Sequence, residues 1–242
     1  MAYSRFVRWL ALPAIAAHAS LSSLKADRLL KAAVVLKAGL ISDLQFEAHL
    51  KRYFATCLPG VYEELGLAER RRALLDSPHP YKIALVRAGD SEADHPSLWQ
   101  RRLAVVRGLG VRLDLMTLAA EEGIEPHGHS AVVSGFLVLE GEVRGRTFDR
   151  LDAQPGRWLV RKNFDHLMRQ GAFLTSAEWS SNIHWLNGIA ARSFLLRVTV
   201  SGFPTRRFDS SFHSERVHID LSACPNGCEP FWARVSEEPG SE

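Results

Sequence analysis

Two histidines stand two residues apart in PHGHSAVVSGFLVLEG, residues 126–141. His127 and His129 flank a glycine, and a mostly apolar run follows that closes on Glu140-Gly141. In an extended strand residues i and i+2 share a face, so both imidazoles point the same way. Two imidazoles on one face can share a metal ion, and a third ligand must then come from elsewhere in the chain. The plainer alternative is a pair of polar residues at a strand rim. Cys224 and Cys228, in ACPNGCEP, have the spacing of a small redox pair or of half a zinc site. The only other cysteine is Cys57, so no second pair completes a zinc site, and two free thiols in a C-terminal loop is the reading kept. The odd count also argues against a disulfide framework.

Beyond His129, four residues lead to Ser134 and six more to Gly141. This spacing resembles the first cupin motif, where His-x-His is followed by a glutamate and then, after six residues, by a turn glycine. Ser134 stands at the glutamate position. SSNIHWLNG, residues 180–188, resembles the second cupin motif, which supplies one more histidine from a later strand, here His184. Its Asn-Ile-His is also similar to the matching segment of the cysteamine and plant cysteine oxidases. The usual Pro-x-Gly before that histidine is replaced by Trp179 and Ser181, and Gly188 stands where the motif has an asparagine. RLDLMTLAAEEGIEPHGHS resembles the lead-in of thiol dioxygenases of the cysteine dioxygenase type, which use three histidines, lack the glutamate and carry helices before the barrel. The resemblance covers roughly residues 110–200. It implies a mainly β fold, a cupin jelly-roll barrel with an N-terminal helical extension. It further implies that His127, His129 and His184 are the metal ligands of a mononuclear non-heme dioxygenase. The chain departs from that family in SFLLRVTV, where Leu195, Arg197 and Thr199 fill the positions of a Ser-x-His-x-Tyr strand. The missing His and Tyr point away from cysteine itself as the substrate.

Three neutral imidazoles would hold a divalent ion facially and leave positions open, which suits Fe(II) with substrate and O₂ side by side. Imidazole also suits Zn, Ni and Cu. A non-catalytic metal-binding cupin, a sensor or small-molecule binding module with Zn or Ni, is therefore the alternative. A neutral triad leaves the site positive and favours a small chelating anion of thiol or enolate type. Ser134 is expected beside the metal, its small side chain leaving room for substrate. Arg197 lies in an otherwise apolar strand, on the face opposite Leu196, Val198 and Val200. A buried arginine needs an anionic partner, either a substrate group or Asp114 or Glu140. Trp179, Trp185, Phe136 and Met116 either line an apolar pocket or fill the core. His18, His49, His79, His95, His166, His213 and His218 read as structural or surface residues.

The elements that must position these residues follow from hydrophobic period. From Trp99 onward short apolar runs alternate with turns, the pattern of an all-β sandwich or barrel, expected with the strand YKIALVR over residues 81–222. Residues 1–80 read as a helical extension. Ser23 can cap a helix from Leu24 to Ala38 that Gly39 closes. Ser42 and Asp43 start a second, through about Thr56. A third runs from about Val61 to Leu75 and stops at Ser77-Pro78-His79-Pro80. MAYSRFVRWLALPAIAAHAS reads as a helix with an apolar face; Pro13 and His18 interrupt its core and argue against a signal peptide. Residues 223–242 read as a C-terminal tail.

A chain of 242 residues with 46% hydrophobic content can bury a substantial core. The net charge of +3 comes without a long Lys/Arg block, so composition makes no case for nucleic acid, and Arg70–Arg72 read as a solvated helix face. No apolar run approaches the ~18 residues needed to span a membrane. The expectation is a cytoplasmic protein whose partners are a small-molecule substrate and O₂, with a homodimer left open.

Overall fold

The protein is described by a computed structural model over residues 25–61, 65, 67–76, 82–85, 110–178, 180–204, 216–224 and 229–237. The N-terminal apolar segment, Trp179 and Cys228 lie outside the described residues.

Helix α1 (Lys25–Lys37) ends at Gly39, whose φ of 68° is the left-handed conformation that stops a helix and suits glycine. Helix α2 (Asp43–Cys57) opens with a capping box: the Ser42 hydroxyl accepts from the Gln45 amide, and the Gln45 side chain accepts from the Ser42 amide. A short 3-10 turn (Leu58–Gly60) follows, and α3 spans Leu67–Asp76; residues 62–64 and 66 of the expected third helix lie outside the described residues. Strand β1 (Lys82–Leu85) then pairs with β2 (Val111–Ala119).

The remaining strands are β3 (Gly123–Gly128), β4 (Val132–Glu140), β5 (Glu142–Gln154), β6 (Arg157–Arg169), β7 (Phe173–Ser176), β8 (Ile183–Gly188), β9 (Arg192–Ser201), β10 (Val217–Asp220) and β11 (Phe231–Glu237). One sheet has the order β1-β2-β9-β4-β7, and the other runs β3-β8-β5-β6 before closing through β11 and β10. From β2 to β9 successive strands switch sheets at every step except β5 to β6, a hairpin within the second sheet, and neighbours are antiparallel, which is a jelly-roll barrel. This is the mainly β fold with N-terminal helices that the sequence implied.

Three apolar layers hold it. Phe46, Leu50 and Phe54 of α2 and Leu36 of α1 pack on Leu113, Leu196, Val198 and Val200, the outward face of the first sheet. Gly135 makes this approach close, because a Cβ there would lie 2.6 Å from Phe54. Between the two sheets lie Met116, Leu118, Phe136, Val138, Leu186 and Leu195. The second sheet curls so far that it closes on itself, around Phe148, Trp158, Val160, Ile183, Val217 and Ile219.

Two expectations need correction. Strand β11 falls inside the expected tail: Ala233 is buried, and the strand bridges β6 and β10. The Pro- and Gly-bearing stretch before it hid a strand whose partners are distant in sequence. Arg72 is exposed as expected, but Arg71 is only partly solvated. It makes a two-pronged bond to Glu140, and its guanidinium stacks 4.8 Å from the Phe194 ring centroid. A long side chain can reach a strand from a helix edge in a way that a charge run does not reveal.

Candidate metal centre

His127 and His184 face each other across the β3–β8 ladder, as direct partners in register. Directly opposed residues in an antiparallel pair share a face. That face turns inward between the sheets, where the Phe136 ring centroid lies 5.3 Å from that of His184. The other face of the same strands carries Ile183 into the closed six-stranded ring. His129 follows just beyond β3. The ring centroid of His127 lies 4.8 Å from that of His129 and 4.2 Å from that of His184. One ligand nitrogen from each of the three lies within 4.8 Å of the others. The glycine between His127 and His129 has a steric cause. A Cβ on Gly128 would lie 2.8 Å from the Trp158 ring and 3.0 Å from Asn182 Oδ1.

The donor chemistry fits a divalent ion. His127 Nδ1 lies 2.7 Å from the Glu125 carbonyl oxygen, which can only accept, so Nδ1 carries the proton and Nε2 is left to ligate. Arg216 Nη2, 3.3 Å from the same Nδ1, is then a charge neighbour rather than a hydrogen-bond donor to it. His184 is 2% exposed, and its Nδ1 has no hydrogen-bond partner, an orphaned buried nitrogen that a metal would satisfy. Burial, then the neighbouring His184, His129 and Arg216, hold His127 well below the ordinary histidine range against the opposing pull of the Glu125 carbonyl. Burial, then His129, Arg216 and Arg197, do the same to His184. Both are therefore neutral, the form that coordinates.

Ser134 is buried on β4, paired with Ser176 of β7 and Thr199 of β9, and its hydroxyl has no hydrogen-bond partner. Arg197 shares the inward face with Leu195, while Leu196 and Val198 face the helices. Its Nε donates to Asp114 Oδ2 at 2.8 Å, and Nη2 donates to the same oxygen. Asp114 is fully buried, so the intramolecular partner weighed from the sequence is present. Met116 and Phe136 belong to the packing between the sheets. Trp185 is half-buried, with the Arg146 guanidinium stacked 4.0 Å from its ring centroid.

Sequence reasoning missed two neighbours, Arg216 and His218. Strand β10 pairs with β3 so that His218 stands opposite His127, with their ring centroids 6.5 Å apart. Arg216 precedes β10 on the same alternation. His218 Nδ1 pairs with Glu125 at 3.4 Å. The one available signal was the alternation R-V-H-I-D, which put Arg216 and His218 on one face without saying what that face met.

No protein-family model matches the chain, and no curated protein matches it. Among solved structures it is similar to procruciferin, an 11S globulin from Brassica napus, at 12% identity over 52% of this chain with a TM-score of 0.36. It is similar to oxalate oxidase at 14% identity over 54% of this chain, also with a TM-score of 0.36. A cupin superfamily protein from Desulfitobacterium hafniense is similar at 16% identity over 53% of this chain and 85% of its own, with a TM-score of 0.32. The chain spans 26% of procruciferin and 55% of oxalate oxidase.

Proposed function

We propose that the protein is a mononuclear non-heme Fe(II) dioxygenase of the three-histidine class, acting on a small chelating anion of thiol or enolate type. The observation that supports this above the rest is the convergence of His127, His129 and His184 inside the jelly roll, with no carboxylate joining the group among the described residues. Ferrous iron held there supplies a Lewis acid with positions to spare for a chelating substrate and O₂.

The chain's own residues supply the setting. The Glu125 carbonyl fixes the His127 tautomer and the direction in which it ligates. Phe136, buried between the sheets, sets an apolar ring beside His184. Ser134 keeps its stretch of wall small and uncharged. Arg216 acts electrostatically on both His127 and His184, so positive potential reaches the triad from the β10 side, while the charge of Arg197 is met by Asp114. The ligands bring no negative charge of their own, so an anion is drawn to the site and a neutral molecule is not.

The test is purification without chelator, metal analysis, and O₂ uptake with Fe(II) against a panel of thiols and β-dicarbonyls. Uptake that depends on both Fe(II) and one member of the panel is the expected result. Retention of Zn or Ni with no uptake by any member would make the protein a metal-binding sensor or small-molecule module. Failure to hold any divalent ion would overturn both.

A further inference from the structure

His129 is the ligand that the sheet holds least. Strand β3 ends at Gly128, and the β3–β8 ladder stops with Gly128 opposite Ile183. His127 and His184 are fixed to each other by that ladder. Continued one step, the register would set His129 opposite Asn182. There a side chain takes over: Asn182 Nδ2 donates to the His129 carbonyl oxygen at 3.0 Å.

Asn182 is held directly by one bond and indirectly through the residue before it. Its carbonyl accepts from the Ser176 hydroxyl at 3.3 Å. Ser181, immediately before it, has a φ of 52°, a conformation costly for a residue with a Cβ. Asp149 of β5 holds that conformation by accepting from the Ser181 amide at 2.9 Å, and Asn163 of β6 donates to the Ser181 hydroxyl at 3.2 Å. Asn163 also donates to the same Asp149 oxygen at 2.7 Å. Asn182 is 3% exposed.

We infer that Asn182 is a positioning residue that sets the third imidazole of the metal centre, acting through the His129 backbone and anchored by Asp149 and Asn163. The inference rests on the metal-centre reading. Without this bond, His127 and His184 stay paired across the ladder while the His129 backbone loses the hold that Asn182 gives it.

The test is a double-mutant cycle on metal affinity. Co(II) is titrated into the intact protein with a competing chelator, and the visible cobalt bands are recorded. Asn182→Ala, and Asn182→Leu as the neutral variant of similar size, should weaken Co(II) binding about 10–100-fold, the usual cost of losing an outer partner of a ligand. Their cobalt bands should move toward those of His129→Ala. In a His129→Ala background the same substitutions should change affinity by no more than about twofold. An equal loss in both backgrounds would overturn the inference, since Asn182 would then be acting on the barrel at large. Wild-type affinity in both single variants would overturn it too, as would loss of the β-sheet circular dichroism signal in both. A wild-type protein that binds Co(II) no better than His127→Ala would instead bring down the metal centre itself.

Discussion

Each of the three histidines, taken singly, is an ordinary residue of a β protein. His127 could be a rim residue and His184 a core one. Together they place three ligand nitrogens within 4.8 Å of one another. Two imidazoles hold a divalent ion weakly, and a third, preorganised by the barrel, makes the complex stable. His184→Ala should therefore deplete metal about as severely as His127→Ala or His129→Ala, although it lies far away in sequence. Metal content per purified chain measures this, and full occupancy in His184→Ala would break the constellation. Ser134→Glu makes a complementary prediction. A carboxylate introduced on that wall should occupy a metal position, suppressing turnover while metal is retained; turnover at the wild-type rate would remove Ser134 from the site. Arg197 is different in kind, because its partner is internal. Arg197→Leu leaves the buried carboxylate of Asp114 with only the more distant Arg112, at 4.0 Å, and loss of the close partner of a buried pair costs up to about 3–5 kcal/mol. Urea denaturation measures that loss, and Arg197→Leu combined with Asp114→Leu should recover most of it. Unchanged stability with a raised KM would instead assign Arg197 to the substrate.

Helices α1 and α2 were legible in the sequence because their ends carry local chemistry, a capping box at Ser42 and a left-handed glycine at Gly39. The strands were legible because alternation is also local. The His127–His129 pair came from the same alternation, and His184 from the spacing of a known motif. What stayed hidden depends on contacts between distant residues. Nothing near β10 signals that it pairs with β3 and brings Arg216 and His218 beside His127. Nothing near Arg71 signals Glu140. Gly135 is of the same kind, since only the docked α2 explains it. Gly135→Ala would push a methyl into Phe54 and Leu50, at 2.6 and 2.8 Å, and overpacking of this sort costs about 1–3 kcal/mol. The clash lies on the outward face of the sheet, away from the histidines. Thermal unfolding should register the cost while Co(II) affinity stays at the wild-type value, and a parallel loss of affinity would show that helix docking shapes the site.

The whole molecule should respond to pH through the same imidazoles. His127 and His184 are held well below 6.5 by burial first and neighbouring positive groups second, so in the folded metal-free protein they stay neutral as the solution acidifies. The unfolded chain has no such restraint, and its histidines take up protons at about pH 6.5. Below that value the unfolded state binds more protons than the folded one, so stability falls as pH falls and is flat above it. Two such groups give a slope approaching about 2.7 kcal/mol per pH unit once the pH lies well below 6.5. The acid limb of the carboxylates lies lower. Burial pulls Asp165 upward, but the hydrogen bond from Arg144 and the charges of Arg146, Arg144 and Lys162 outweigh it, so its contribution is lost only as pH falls below its ordinary value of 3.8. The two windows are thus separable. Bound metal should add stability at neutral pH, and because the folded-state imidazoles stay neutral well below 6.5, protons compete for them only at lower pH. The measurement is the Tm of metal-free and Co(II)-loaded protein from pH 5 to about pH 8. The metal-free Tm should hold level above about pH 7 and descend below about pH 6.5, while the cobalt increment should persist through the same interval. In a His127→Ala/His184→Ala double variant the descent should flatten. A slope that survives in that variant would mean that other groups carry the proton uptake and that these imidazoles are not held neutral by the fold.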